Sequence, residues 1–108
     1  MSSGHQAELI AKDYLQKQGL TWVASNVSYP FGELDIIMQE HDAWVFVEVK
    51  YRATQHFGGA ISAISNKKIA RLRKAAAYYL QQHQINAPCR FDLLAIEGSE
   101  IHWLKNIF

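Results

Sequence analysis

Two apolar runs, residues 32–38 and 44–49, flank the polar break Gln39-Glu40-His41-Asp42, a spacing that predicts two strands joined by a hairpin. The second run alternates, so Val45, Val47 and Val49 are expected on one face and Phe46, Glu48 and Lys50 on the other. An earlier strand over 21–28 carries Trp22, Val23 and Val27, and Tyr29-Pro30-Phe31-Gly32 reads as the turn leading out of it. Ahead of these, Ala7, Ile10, Ala11, Tyr14 and Leu15 recur at helical spacing. They predict a helix from about 5 to 18, capped by Ser2-Ser3-Gly4 and ended by Gly19. A second helix, opened by Ser65 or Asn66 and running to about 83, places Ile69, Leu72, Ala76, Tyr79 and Leu80 on one face. Lys67, Arg71 and Lys74 fall almost opposite. Beyond Pro88, residues 89–96 read as a strand with Phe91, Leu93 and Ala95 on one side. A turn at Glu97-Gly98-Ser99-Glu100 and a short strand over 101–104 follow. The order α-β-β-β-α-β-β describes an α/β chain in which a mixed sheet is flanked by helices.

Composition narrows this picture. The 108 residues are expected to form one domain, 1–108, and an apolar share of 49% is that of a folded core. No run has the length of a membrane span, and the first residues form neither a charged nor an apolar leader, so the cytoplasm is the expected location, with no membrane partner. Without secretion, Asn26-Val27-Ser28 is discounted as a glycosylation acceptor. The lone Cys89 excludes an intramolecular disulfide and a cysteine-based zinc site. Five histidines show no ligand spacing, and no Gly-x-Ser-x-Gly elbow is present. Residues 52–65, with Gly58-Gly59, read as a loop too irregular for a phosphate-binding P-loop. The net charge of +1 hides an asymmetry: five acids lie from Glu33 to Glu48, and none from Val49 through Phe91. The second helix supplies Lys67, Lys68, Arg71, Arg73 and Lys74 to that acid-free stretch, a cationic face suited either to a polyanion or simply to water.

Candidate chemistry lies in the strands. Asp35 interrupts the apolar run between Leu34 and Ile36, and Glu48 interrupts the next; an acid inside a buried strand costs several kcal/mol unless paired or metal-bound. Two readings remain open at this level. Asp35 and Glu48 can share one hard divalent cation, with Lys50 beside it, since Mg2+ needs few carboxylates. Alternatively, an Asp–Lys or Glu–Lys ion pair fixes strand register. Glu8 stands at the edge of the first helix's apolar stripe, where it can reach the protein body or simply favour the helix dipole. Glu33 is assigned to solvent or the sheet edge.

An acid on one strand followed by Glu-x-Lys on the next resembles the PD-(D/E)xK nuclease superfamily, with Asp35, Glu48 and Lys50 on the motif positions and Leu34 where the motif has proline. A longer set of blocks is more specific: Ala7-Glu8, Gly32-Glu33-Leu34-Asp35-Ile36-Ile37, Val45-Phe46-Val47-Glu48-Val49-Lys50-x-Arg52, Phe57-Gly58, Arg90-Phe91-Asp92 and Asn106-Ile107-Phe108. Together they resemble the YraN-like family of small bacterial proteins, which is similar to archaeal Holliday junction resolvases. The resemblance implies a restriction-endonuclease-like fold and a Mg2+- or Mn2+-dependent endonuclease acting on DNA, branched DNA included, with a homodimer by analogy with the resolvases. It implies Asp35, Glu48 and the Val49 backbone carbonyl as metal ligands, Lys50 as the residue assisting water, and Glu8 holding a water or a second ion at the metal. Arg52, Lys67, Lys68, Arg71 and Lys74 would meet the nucleic acid. A non-catalytic nucleic-acid-binding or adaptor module on the same fold is the alternative.

Overall fold

In a computed structural model, which describes residues 3–52 and 64–108, the elements follow the expected order. They are α1 (Ser3–Lys17), β1 (Thr21–Tyr29), β2 (Gly32–Glu40), β3 (Ala43–Arg52), α2 (Asn66–Gln82), β4 (Cys89–Glu97) and β5 (Glu100–Leu104). Phe57-Gly58 and most of the expected 52–65 loop lie outside the described residues. Gly19, at φ 101, ends α1 where only glycine is unstrained, and the Leu20 amide folds back onto the Leu15 carbonyl at 3.1 Å. The Ser65 hydroxyl caps α2 by accepting from the Lys68 amide at 3.1 Å.

The five strands lie in the order β1-β2-β3-β4-β5. β1, β2 and β3 form an antiparallel meander, β4 runs parallel to β3 after the α2 crossover, and β5 returns antiparallel to β4. Period two on the strands divides the core into two layers. Ile36, Met38, Val45, Val47, Leu94 and Ile96 meet Ala7, Ala11 and Leu15 of α1. Leu34, Ile37 and Phe46 meet Leu72, Ala75, Ala76 and Tyr79 of α2. The alternation expected for β3 holds, with Val45 and Val47 toward α1 and Phe46 toward α2. One expected core residue does not: Ile10 is exposed. The buried stripe runs 7, 11, 15, and Ile10 stands about 100° from its centre by the helical step. Gly32 is required at the start of β2, because a Cβ there would stand 2.9 Å from the Arg71 carbonyl oxygen of α2. Among the described residues no helix is long and apolar enough to cross a membrane.

Two irregularities interrupt the meander. The β2–β3 ladder ends at Ile36↔Val47, so the two strands part just where Asp35 and Glu48 would face each other. Leu34 accordingly packs toward α2 although Ile36, two residues on, packs toward α1. On the other side of β2, β1 shifts register between Trp22 and Ala24, and its Asn26 takes a φ of 55, a left-handed conformation that Asn tolerates better than most residues.

A polar knot fastens β4 beside Val47 of β3. Asp92 of β4 is 0% exposed, yet both carboxylate oxygens are satisfied. Arg90 Nε donates to Oδ1 at 3.0 Å, the Asn106 amide to Oδ1 at 2.9 Å, and Trp103 Nε1 to Oδ2 at 2.9 Å. Arg90 also donates from Nη1 to Glu40 Oε1 at 2.7 Å, tying β4 to the β2–β3 hairpin. Alongside, the Ile107 amide donates to the Phe91 carbonyl at 2.8 Å, and Phe108 stacks on Phe91. The blocks Arg90-Phe91-Asp92 and Asn106-Ile107-Phe108 are thus two halves of one contact.

Candidate functional site

The site occupies the fork between β2 and β3. Asp35 fills the gap left by the interrupted ladder, its Oδ2 accepting from the Val49 backbone amide at 3.0 Å. Glu48, on the α2 side of β3, is 4% exposed. Its Oε2 accepts from Lys68 Nζ at 3.0 Å, whereas Oε1 is buried without a hydrogen-bond partner among the described residues. From the α1 side, Glu8 and Glu33 approach Asp35, and one carboxylate oxygen of each of the three lies within 4.8 Å of the others.

Electrostatics follow from this crowding. Burial pushes the Asp35 carboxyl up from 3.8 to about 8. The neighbouring Glu48 adds to the rise through hydrogen bonding and like charge, the Val49 amide draws it down, and Glu8 adds further repulsion. Glu8 is also raised, first by burial; a hydrogen bond from the Asn26 side chain offsets part of this, and Glu33 pushes it up again. A cluster of this kind is relieved by taking up either a proton or a cation.

Of the residues singled out from sequence, the fold gathers Glu8 and Asp35 in one cluster, with the Val49 amide rather than its carbonyl on Asp35; Glu48 lies outside that group of three acids and adjoins Asp35 from the α2 side. Lys50 follows them on β3, half-buried, and makes no salt bridge among the described residues. The ion pair foreseen as the alternative to a metal exists, but its cation is Lys68 of α2 rather than a residue of the strand. Lys68 therefore leaves the solvent-facing stripe: by the 100° step it lines up with Leu72, Ala75 and Tyr79 on the buried face. Lys67, Arg71 and Lys74 do face solvent, and Lys74 Nζ sits 5.0 Å over the Phe31 ring, itself stacked on Tyr29. Arg52 ends β3, where its carbonyl accepts from the Gly98 amide at 2.9 Å.

Two residues escaped the reading of the sequence. Glu33 is a member of the cluster and not a bystander at the edge; the alternation breaks at Asp35, where Leu34 and Ile36 pack on opposite faces, and that break brings the two acids together. Asn26 carried no signal, because its contact with Glu8 depends on a left-handed backbone and on helix packing.

Comparison with known proteins identifies a family. The model of "Uncharacterised protein family UPF0102" matches residues 7–96. A UPF0102 protein of Shewanella denitrificans is 59% identical over 108 residues, covering 100% of both chains. One from Shewanella sp. strain ANA-3 is 56% identical with the same coverage. A third, from Shewanella loihica, is 55% identical across 100% of this chain and 95% of its own.

Proposed function

We propose that this chain, which belongs to the uncharacterised protein family UPF0102, is a Mg2+- or Mn2+-dependent nuclease of the PD-(D/E)xK kind that hydrolyses phosphodiesters in DNA. The observation that carries this reading is the buried Glu48 Oε1, to which no N–H of the described residues donates, beside an Asp35 carboxyl whose pKa is raised to about 8. A buried carboxylate oxygen without a donor and a carboxyl that resists ionisation beside it are hard oxygen ligands that a divalent cation would satisfy, so the donor set fits the ion. Asp35, Glu48 and the Val49 carbonyl would hold it, with Glu8 and Glu33 closing the α1 side. When bound, a divalent cation supplies charge stabilisation to a phosphoryl oxygen and acidifies water. Lys50 orients the attacking water or neutralises negative charge as it develops on the phosphate. Arg52, Lys67, Arg71 and Lys74 receive the backbone, and the resemblance to resolvases favours branched DNA as the substrate.

The direct test is digestion of single-stranded, linear duplex and four-way-junction DNA with Mg2+ or Mn2+, the junction being the substrate expected to be cut. Tight junction binding with no cleavage under either metal would replace this reading with that of an adaptor.

Metal and pH should be linked through Asp35. In metal-free protein the folded state keeps a proton that the unfolded state gives up from about pH 4 onward. The contribution of this raised carboxyl is therefore greatest below its unfolded pKa and is lost as pH rises toward 8. Mn2+ should reverse that loss by binding the ionised form, raising the melting temperature more at pH 8 than at pH 6. Asp35→Asn should flatten the metal-free pH profile and abolish the rise with Mn2+. Equal Mn2+ responses in the two proteins would remove Asp35 from any metal site.

DNA affinity gives an independent check on the cationic stripe. Replacing Lys67, Arg71 and Lys74 together by Ala is expected to weaken binding and to reduce the salt slope by about 2 to 3, roughly 0.9 per lost phosphate contact on duplex. An unchanged slope would assign that face to solvent.

A further inference from the structure

We infer that Lys68 is the resident cation of Glu48 in the metal-free chain, and that it surrenders this carboxylate when a divalent cation enters and turns to the nucleic-acid backbone instead. The inference rests on the metal-binding reading above and adds to it a coupling between the metal and the DNA. Three observations carry it. Lys68 Nζ lies 3.0 Å from Oε2 of a carboxylate that is only 4% exposed, and a dication taking the other oxygen, Oε1, would stand a carboxylate's width from that ammonium in a poorly solvated place, where the two repel. The Lys68 side chain is itself 40% exposed, which gives it an open route outward that Glu48 lacks. Its backbone amide is fixed by the Ser65 cap, so the flexible four-carbon stem moves while the helix stays.

The direction of that movement sets the consequence. Lys68 follows Lys67 in the first turn of α2, and Arg71 lies one turn further along the solvent face. Lys68 stands about 90° round the helix from the middle of that stripe, so once released its long stem swings outward to the stripe's edge, and metal loading adds there a phosphate contact that the metal-free protein lacks. By linkage the two ligands must strengthen each other equally: metal tightens DNA, and DNA tightens metal. Ca2+, which occupies oxygen sites while leaving the DNA uncut, allows both to be measured at equilibrium.

Two measurements test the exchange. In the wild-type protein, amine-reactive labelling read by peptide mass should show Lys68 gaining reactivity relative to Lys67 on addition of Mn2+, by about fivefold or more, the low end of ordinary coupling factors. In titration calorimetry, Lys68→Met should bind Mn2+ about tenfold more tightly than wild type, because a competitor is gone. Lys67→Met removes the same charge one residue away and should leave Mn2+ affinity within about twofold of wild type, since exposed charges interact weakly through water. Unchanged Lys68 labelling in a wild type that binds Mn2+ would overturn the exchange and leave the metal site standing. Equal tightening in both variants would reduce the effect to general electrostatics and overturn it likewise. Absence of Mn2+ binding in wild type would overturn this inference and the metal reading together. Should Lys68→Met fail to fold, the labelling of wild-type protein decides alone.

Discussion

Lys50→Ala should fold, bind junction DNA in Ca2+, and cut it about 10² times more slowly or worse in Mn2+, the scale of loss when one electrostatic donor is removed from a reacting centre. The structure sharpens this expectation. Had Lys50 neutralised Glu48, its removal would orphan a buried carboxylate and cost several kcal/mol of stability. Lys68 holds that position at 3.0 Å, and Lys50 makes no salt bridge among the described residues. Lys50, half-buried, follows Glu48 by two residues and holds no ion pair among the described residues. Lys50→Arg is the stricter comparison, because a guanidinium keeps the charge but spreads it over a planar fork that cannot reproduce a compact ammonium. Both variants should lose most single-turnover cleavage while melting close to wild type. A Lys50→Ala protein that unfolds readily would return this residue to the architecture, and one that cleaves normally would remove it from the chemistry.

Asp92→Ala should lower stability by about 3 to 5 kcal/mol, the cost of breaking a buried charge pair by deleting one partner. Four donor groups converge on this fully buried carboxylate: the Arg90 Nε and Nη2, the Trp103 indole and the Asn106 amide. Removing it leaves the indole and the amide without an acceptor, and Arg90 with Glu40 alone. Urea denaturation should show the loss as a lower midpoint at unchanged slope. Asp92 is not one of the clustered acids, so Mn2+ should still raise the melting temperature of the weakened protein. A variant within 1 kcal/mol of wild type, roughly the cost of a single ordinary hydrogen bond, would show that Asp92 is not what fastens residues 106–108 to the sheet.

Much of this architecture was legible because the chain keeps clean periods. The Val45, Val47, Val49 alternation and the Ala7, Ala11, Leu15 stripe fixed the strand and helix faces without tertiary information. Asp35 and Glu48 stood out for the same reason, as acids breaking apolar runs whose burial has to be compensated. Where the reading erred, the cause differs from residue to residue. Ile10 is apolar but lies off the narrow buried stripe, and its hydrophobicity says nothing about that offset. Glu33 joins the acids because the strand period breaks at Asp35, an irregularity that the sequence pattern does not announce. The helical step places Lys68 on the buried face, yet its carboxylate partner comes from a strand twenty residues earlier, which no local pattern encodes. Asn26 and the Asp92 knot lie furthest from view, since each depends on segments that meet only in the folded chain.

The unevenness of β1 bears on more than the approach of Asn26 to Glu8. β1 is an outer strand of the sheet, nine residues long, and a regular strand of that length with open backbone groups is a template on which another chain can pair. The register shift after Trp22 and the left-handed turn at Asn26 break that template into short pieces, and Lys12 lies over the Trp22 ring at 3.7 Å. The same bend that brings an amide to the acid cluster thus blunts the rim against aggregation. Straightening β1 to make a more regular sheet would therefore trade solubility and site geometry together.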